Sequence, residues 1–140
     1  MNLNRSWRRI LCSQGPEVGK KVILAIFGSP DRRQIDGLGG ADSLTSKLAI
    51  IAPSKRPDSD VDYTFGAVDL TQPIIDFRGN CGNISSGVGP FAIDEGLVEV
   101  KSSETMIRIF NTNTKKNIKS QVIDGLEYPL PLFLQVRILN

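Results

Sequence analysis

The sequence predicts a single mixed α/β or α+β domain, rich in strands with one central helix, on three observations. Val61, Tyr63 and Phe65 alternate with Asp62 and Thr64, the period of two expected of a half-buried strand. Residues 48–52 form a short apolar run stopped by Pro53, the size of a core strand. The turn Gly79-Asn80-Cys81-Gly82-Asn83 opens an apolar stretch at Ile84, the pattern of a glycine-rich turn feeding a helix. At 140 residues the chain suits one domain with a real core, and 40% hydrophobic with 23% charged residues is ordinary for a soluble globular protein.

The elements follow in order. Residues 1–19 are poorly patterned, with Gly15-Pro16 as a breaker, and read as a loose extension. The continuous apolar run 22–27 does not separate strand from buried helix by period, but Gly28 and Pro30 after it favour a helix from about Pro16 to Phe27. Residues 36–40 read as a flexible glycine-rich loop leading to Lys47, and 54–60 as a polar turn. A second short strand is expected at 73–77. The helix opened at Ile84 should run to about Glu95. Gly87, Gly89 and Pro90 would weaken it in isolation, so it should pack closely against a sheet. Residues 97–101 and 105–110 are expected to pair as strands around a turn at 102–104, with Ile107 and Ile109 on the buried face and Arg108 pointing away. Leu132, Leu134, Val136 and Ile138 alternate again near the end.

Composition excludes much chemistry. There is no histidine, which removes Ser-His-Asp and Cys-His catalysis and HExxH zinc sites. The two cysteines, Cys12 and Cys81, form no CxxC spacing or disulfide framework, which points to a reducing, cytoplasmic setting. No segment approaches the ~20 apolar residues that span a bilayer, and no secretory signal follows the N-terminal arginines. A net charge of +2 and one basic cluster, Arg5, Arg8 and Arg9 around Trp7, argue against nucleic acid as partner. Asp31, Asp36, Asp42 and Asp76 are scattered rather than grouped as metal ligands. The loop 37–40 lacks both the GKS/GKT ending and the GxGxxG spacing, so neither ATP nor NAD is expected as a cofactor.

The chemistry that remains centres on Cys81. A thiol at a helix start meets unpaired N–H groups that favour a thiolate or a substrate carboxylate. Lys47, at the mouth of an apolar strand, is its candidate acid/base partner, since partial desolvation makes the neutral amine available. The plainer alternative is a solvated strand-end lysine and a small core cysteine.

Three segments, taken together, resemble the PrpF family, which includes 2-methylaconitate cis-trans isomerase, 4-oxalomesaconate tautomerase and 3-methylitaconate isomerase. They are Phe27-Gly-Ser-Pro-Asp31 with Arg33-Gln-Ile-Asp-Gly-Leu-Gly-Gly-Ala41, then Thr45-Ser-Lys-Leu-Ala-Ile50, then Asp76-Phe-Arg-Gly-Asn-Cys-Gly-Asn83 running into Gly87-Val-Gly-Pro-Phe-Ala-Ile93 and Glu95-Gly-Leu97. The resemblance covers about residues 20–112. It implies a diaminopimelate-epimerase-like α+β fold, with a mixed sheet wrapped around a central helix in each of two domains and the active site between them. It also implies cofactor-independent proton transfer beside a carboxylate. Lys47 and Cys81 match the family's acid/base pair at the family's spacing, and Ser46, Asn80, Gly82 and Asn83 match positions around the substrate. The implied partner is a small unsaturated di- or tricarboxylate such as 2-methylaconitate or 4-oxalomesaconate.

The chain departs from the family pattern at both ends. Most members carry an Arg-Gly-Gly-Thr-Ser-Lys-Gly-like segment near the N-terminus, and residues 1–19 hold nothing similar. Beyond about Asn113 the pattern blurs. The expectation is a divergent extension at 1–19 and a truncated N-terminal domain at 20–140, a single lobe with little isomerase activity alone. Such a lobe should self-associate through the face that normally meets the second domain. Two other readings stand beside it. One is a non-catalytic binding or structural remnant. The other is an amino-acid racemase or epimerase of the same fold, disfavoured because Cys81 has no second thiol suitably placed.

Overall fold

The computed structural model describes residues 16–100, 102–123 and 136–139. Cys12, Leu132 and Leu134 lie outside them, as does most of the expected extension. The described residues divide between two compact units. One holds residues up to Leu48 with Gly66–Phe77, and the other holds Ala49–Phe65 with the chain from Arg78 onward.

The first unit is built on helix α1, Pro16–Phe27. Leu24 is buried with Val68 and Ile75, and Ile23, Phe27 and Leu48 pack around them. The helix stops where expected. Gly28 takes a φ of +72°, which glycine adopts without strain, and the Ser29 N–H donates back to the Leu24 carbonyl at 2.9 Å. Strand β1, Lys47–Pro53, starts in this unit, as β2, Val61–Val68, ends in it. The short β3, Ile75–Asp76, pairs antiparallel with the end of β2, Val68 opposite Ile75.

The loop between α1 and β1 uses its glycines for close approach. The Leu38 N–H donates to the Ile26 carbonyl at 2.7 Å, drawing the loop against the helix end. Gly37 lies so near the backbone of Phe27 and Gly28 that a Cβ there would overlap main-chain atoms, which no rotamer change relieves. Gly37→Ala is therefore expected to destabilise this unit by about 1–3 kcal/mol. A denaturant titration checks this; a midpoint equal to wild type would contradict it.

In the second unit the sheet order is β1-β2-β4-β5-β6, with β4 at Glu104–Asn111, β5 at Lys116–Ile123 and β6 at Val136–Leu139. β2 and β4 run parallel, with Val61 opposite Ile109 and Tyr63 opposite Asn111, while β4–β5 and β5–β6 are antiparallel. The sheet is thus mixed. Val61, Tyr63 and Phe65 are buried on β2, as are Ile107 and Ile109 on β4, while Arg108 is exposed. The Arg108 guanidinium forks onto the Asp60 carboxylate, at 3.2 Å from Nε and 2.7 Å from Nη2, tying β4 to the start of β2.

Two expectations are corrected. Residues 97–100 are not a strand: the Leu97 and Val98 N–H groups both turn back to the Ala92 carbonyl, at 2.8 and 3.2 Å, closing the preceding helix. The hairpin partner of β4 is β5, paired along all eight residues from Glu104↔Ile123 to Asn111↔Lys116. The expected helix 84–95 is two shorter ones, α2 at Gly82–Ser86 and α3 at Val88–Asp94, with Gly87 capping both. The restart explains Pro90, which occupies the third position of α3, where a missing N–H leaves no intrahelical bond unmade. Close packing does hold: Gly89 is buried against Ser120 and Val122 of β5, with no room for a Cβ beside the serine.

Candidate active site

Ser46 and Lys47 belong to the first unit, and Asn80 to Asn83 to the second, and each group is described in its own unit. Ser46 is fully buried. Its hydroxyl donates to Gln34 Oε1 at 2.7 Å, its N–H to the Asp42 carbonyl at 2.9 Å, and its carbonyl accepts from Val68 at 2.9 Å. Gln34 Oε1 also accepts from the Ala41 N–H at 2.8 Å, so one buried amide fastens the loop to the start of β1. Lys47 follows at the first position of β1, half-buried.

The Cys81 turn is held from beneath. Cys81 is half-buried with extended backbone, φ −127° and ψ 116°, as N-cap of α2. Its carbonyl accepts from Ser85 twice, from the N–H at 3.0 Å and from the hydroxyl at 2.8 Å. That N–H is the first helical bond, so Gly82, Asn83 and Ile84 carry the leading donors of the turn, and Cys81 makes no side-chain cap bond to them. With five residues α2 adds little dipole, so any anion at this turn would be held by individual N–H groups.

Asn80 Oδ1 accepts from Asn111 Nδ2 at 2.9 Å and lies 3.2 Å from the Ser85 hydroxyl. Asn111, fully buried at the end of β4, also accepts from the N–H groups of Asn113 and Thr114 at 2.9 and 3.0 Å. One amide thus shapes the β4–β5 turn and holds the Cys81 turn. On the outer side Gly82 and Asn83 are exposed, and a Cβ added to Gly82 would meet nothing within 4 Å. Gly82 is not in the left-handed region, so neither packing nor backbone geometry inside the chain requires a glycine there.

The sequence reading missed Gln34, Ser85, Asn111 and Tyr63. Tyr63 is fully buried, and its Oη has no hydrogen-bond partner among the described residues. Burial pushes its phenol above the ordinary tyrosine range. The nearby Ser85 hydroxyl pulls the other way without completing a bond, and charge on Cys81 pushes it up again. The spacing from Cys81 to Ser85, one helical turn, was the one signal available for that serine. Among the described residues no group of three metal-binding side chains occurs, and no helix is long and apolar enough to cross a membrane.

A mixed sheet with helices over it and a thiol on a glycine turn at a helix start define a class, the diaminopimelate-epimerase-like fold. The match to the crystal structure of a methylitaconate-delta-isomerase bears this out, with a TM-score of 0.76 at 58% identity, over 81% of this chain and 50% of that one. The chain belongs to the PrpF family, whose model, described as PrpF protein, matches residues 12–126. It is 62% identical over 106 residues to 3-methylitaconate isomerase of Eubacterium barkeri, covering 76% of this chain and 28% of that protein. It is 55% identical over 102 residues to 4-oxalomesaconate tautomerase of Pseudomonas putida, covering 73% and 28%. With 2-methyl-aconitate isomerase of Cupriavidus necator the identity is 47% over 107 residues, covering 72% and 27%. The chain spans less than a third of the length of these relatives.

Proposed function

We propose that this chain carries the acid/base lobe of a cofactor-independent isomerase that moves a proton on an unsaturated di- or tricarboxylate of the methylitaconate, methylaconitate or oxalomesaconate type. The observation that carries the reading is the Cys81 turn. In a family whose named relatives are isomerases of such acids, a thiol sits on an outward-facing glycine turn fixed from beneath by buried bonds. A C–H conjugated through the alkene to a carboxylate is weakly acidic. One member of the pair Lys47 and Cys81 removes that proton, and charge delocalises into the carboxylate, where the N–H groups of Gly82 and Asn83 receive it. The other member returns a proton at a different carbon or face, so the double bond shifts or inverts with no net change in composition. Asn80 and Asn83 flank the carboxylate, and Ser46, bonded to Gln34, positions Lys47. Turnover belongs to the two-lobed enzyme, so the chain alone is expected to bind the acid and convert little of it, in a cytoplasmic setting.

Gly82 supplies the test, because its open front leaves close approach of a ligand as the use for a glycine. Backbone amide NMR of the chain titrated with 3-methylitaconate should show saturable shifts at residues 80–84. Gly82→Ala should leave stability within about 0.5 kcal/mol of wild type and weaken binding by about tenfold or more. Shifts confined to other segments, or a Gly82→Ala variant binding as well as wild type, would overturn the reading.

A further inference from the structure

β4 stops short of Phe65. Its parallel register with β2 runs from Val61↔Ile109 to Tyr63↔Asn111, and the Thr112 N–H still reaches the Tyr63 carbonyl at 2.8 Å. From there the chain turns away towards β5. Phe65, two residues on from Tyr63, points its N–H and C=O to the same edge of β2, and it is buried, so both groups need partners. The Asn113 side chain supplies them: its Oδ1 accepts from the Phe65 N–H at 2.8 Å, and its Nδ2 donates to the Phe65 carbonyl at 2.9 Å. An amide side chain carries a donor and an acceptor as a peptide group does, so Asn113 stands in for the strand residue that β4 does not provide.

Phe65 in turn bears on the Cys81 turn. A Cβ built on Gly79 would stand 3.6 Å from Phe65 Cε1 and 4.0 Å from Cδ1, ordinary van der Waals contact, and within 4 Å of no other described residue beyond its chain neighbours. Gly79 and Asn80 are themselves exposed, so little burial of their own holds them. Asn80 is fixed by the bond from Asn111 at 2.9 Å. Two amides of one segment, Asn111 and Asn113, thus reach the two residues that precede Cys81, one by a hydrogen bond to Asn80 and the other through the ring beside Gly79.

We infer that Asn113 is a positioning residue for Cys81: by pairing with both backbone groups of Phe65 it fixes the ring against which the approach to the thiol rests. This deepens the reading of Cys81 as one member of the acid/base pair, and its bearing on catalysis rests on that reading. Asn113 acts through Phe65 and takes no part in proton transfer.

The test reads the turn by backbone amide NMR of the full chain, without turnover. Asn113→Asp keeps the acceptor for the Phe65 N–H but sets a carboxylate oxygen against the Phe65 carbonyl. At neutral pH the amides of residues 79–83 should move away from their parent positions. Below about pH 5 the carboxyl takes up a proton, and its O–H replaces the lost amide donor. Those shifts should then return towards the parent's at the same pH. Phe65→Leu keeps the bonds from Asn113, which reach only backbone, and removes the ring. The same amides should move at every pH, and binding of 3-methylitaconate should weaken by about tenfold. This variant decides the question alone if the aspartate variant does not fold. Ser59→Ala, which removes a buried hydroxyl bonded to Asn117 before the start of β2, controls for lost stability and should leave residues 79–83 in place. Unmoved amides in Asn113→Asp at neutral pH or in Phe65→Leu overturn the inference. So do shifts that acid does not restore, equal shifts in Ser59→Ala, or Phe65→Leu binding the acid as tightly as a parent that binds it. Moved amides in a chain whose parent ignores 3-methylitaconate would support the positioning and count against the isomerase reading alone.

Discussion

Replacing Asn111 with leucine is expected to destabilise the protein by about 2–4 kcal/mol, as measured by chemical denaturation, because one fully buried amide serves three partners at once. Its Oδ1 accepts from two successive backbone N–H groups, of Asn113 and Thr114, which fixes the turn joining β4 to β5. The Lys115 N–H donates to the Asn111 carbonyl at 2.9 Å, and Lys115 takes a φ of +60°, which few side chains adopt unaided. The Asn111 Nδ2 donates to Asn80 Oδ1 beside Cys81. Leucine matches the volume roughly but serves none of these groups; water can recover those on the exposed Asn80 and Thr114 more readily than the N–H of the half-buried Asn113. Asn111→Asp is the informative companion. It keeps the acceptor for the turn and loses the donor to Asn80, so it should retain more of the turn's stability and still disturb the Cys81 turn. Amide shifts at residues 79–85 that match wild type in Asn111→Asp would show that the bond to Asn80 does not hold that turn.

How far the sequence was legible follows from what each residue advertises. β2 was plain because Val61, Tyr63 and Phe65 face the core while Asp62 and Thr64 do not, and α1 was plain because Gly28 must break it. β5 was hidden because its inward positions include Ser120, fully buried and paired opposite Ile107, so a strand with a buried serine and two lysines shows no apolar period. The strand expected at 97–101 failed for the opposite reason: an apolar pair, Leu97 and Val98, gave its N–H groups to a helix end that pattern alone does not reveal. At the site, the turn and its thiol were visible as a motif. Its supports, Asn111, Ser85 and Gln34, were not, because a polar residue reads as surface until its burial is known.

Exchanging either Lys47 or Cys81 should have the largest functional effect, and the clean setting for the measurement is a family-length enzyme. Residues 12–126 of this chain can replace the matching segment of the Eubacterium barkeri 3-methylitaconate isomerase, with which the chain shares 62% identity over 106 residues. If the lobe is catalytic, the chimera isomerises methylitaconate. Lys47→Ala and Cys81→Ala should then each lower kcat by about 10²- to 10⁴-fold, the usual worth of a positioned acid or base. KM should change far less, since neither group is needed to hold the carboxylate, which falls to the donors at Gly82 and Asn83. Deuterium uptake from solvent separates the two roles further. A variant that loses only the returning group still abstracts and exchanges one proton, whereas loss of the abstracting base silences exchange and isomerisation together. The double variant should be no worse than the weaker single by more than about tenfold, because two groups serving one proton path act as a unit. Activity in Cys81→Ala within about tenfold of the parent chimera would return Cys81 to the plainer role of a half-buried N-cap residue, and with it the acid/base reading of Lys47.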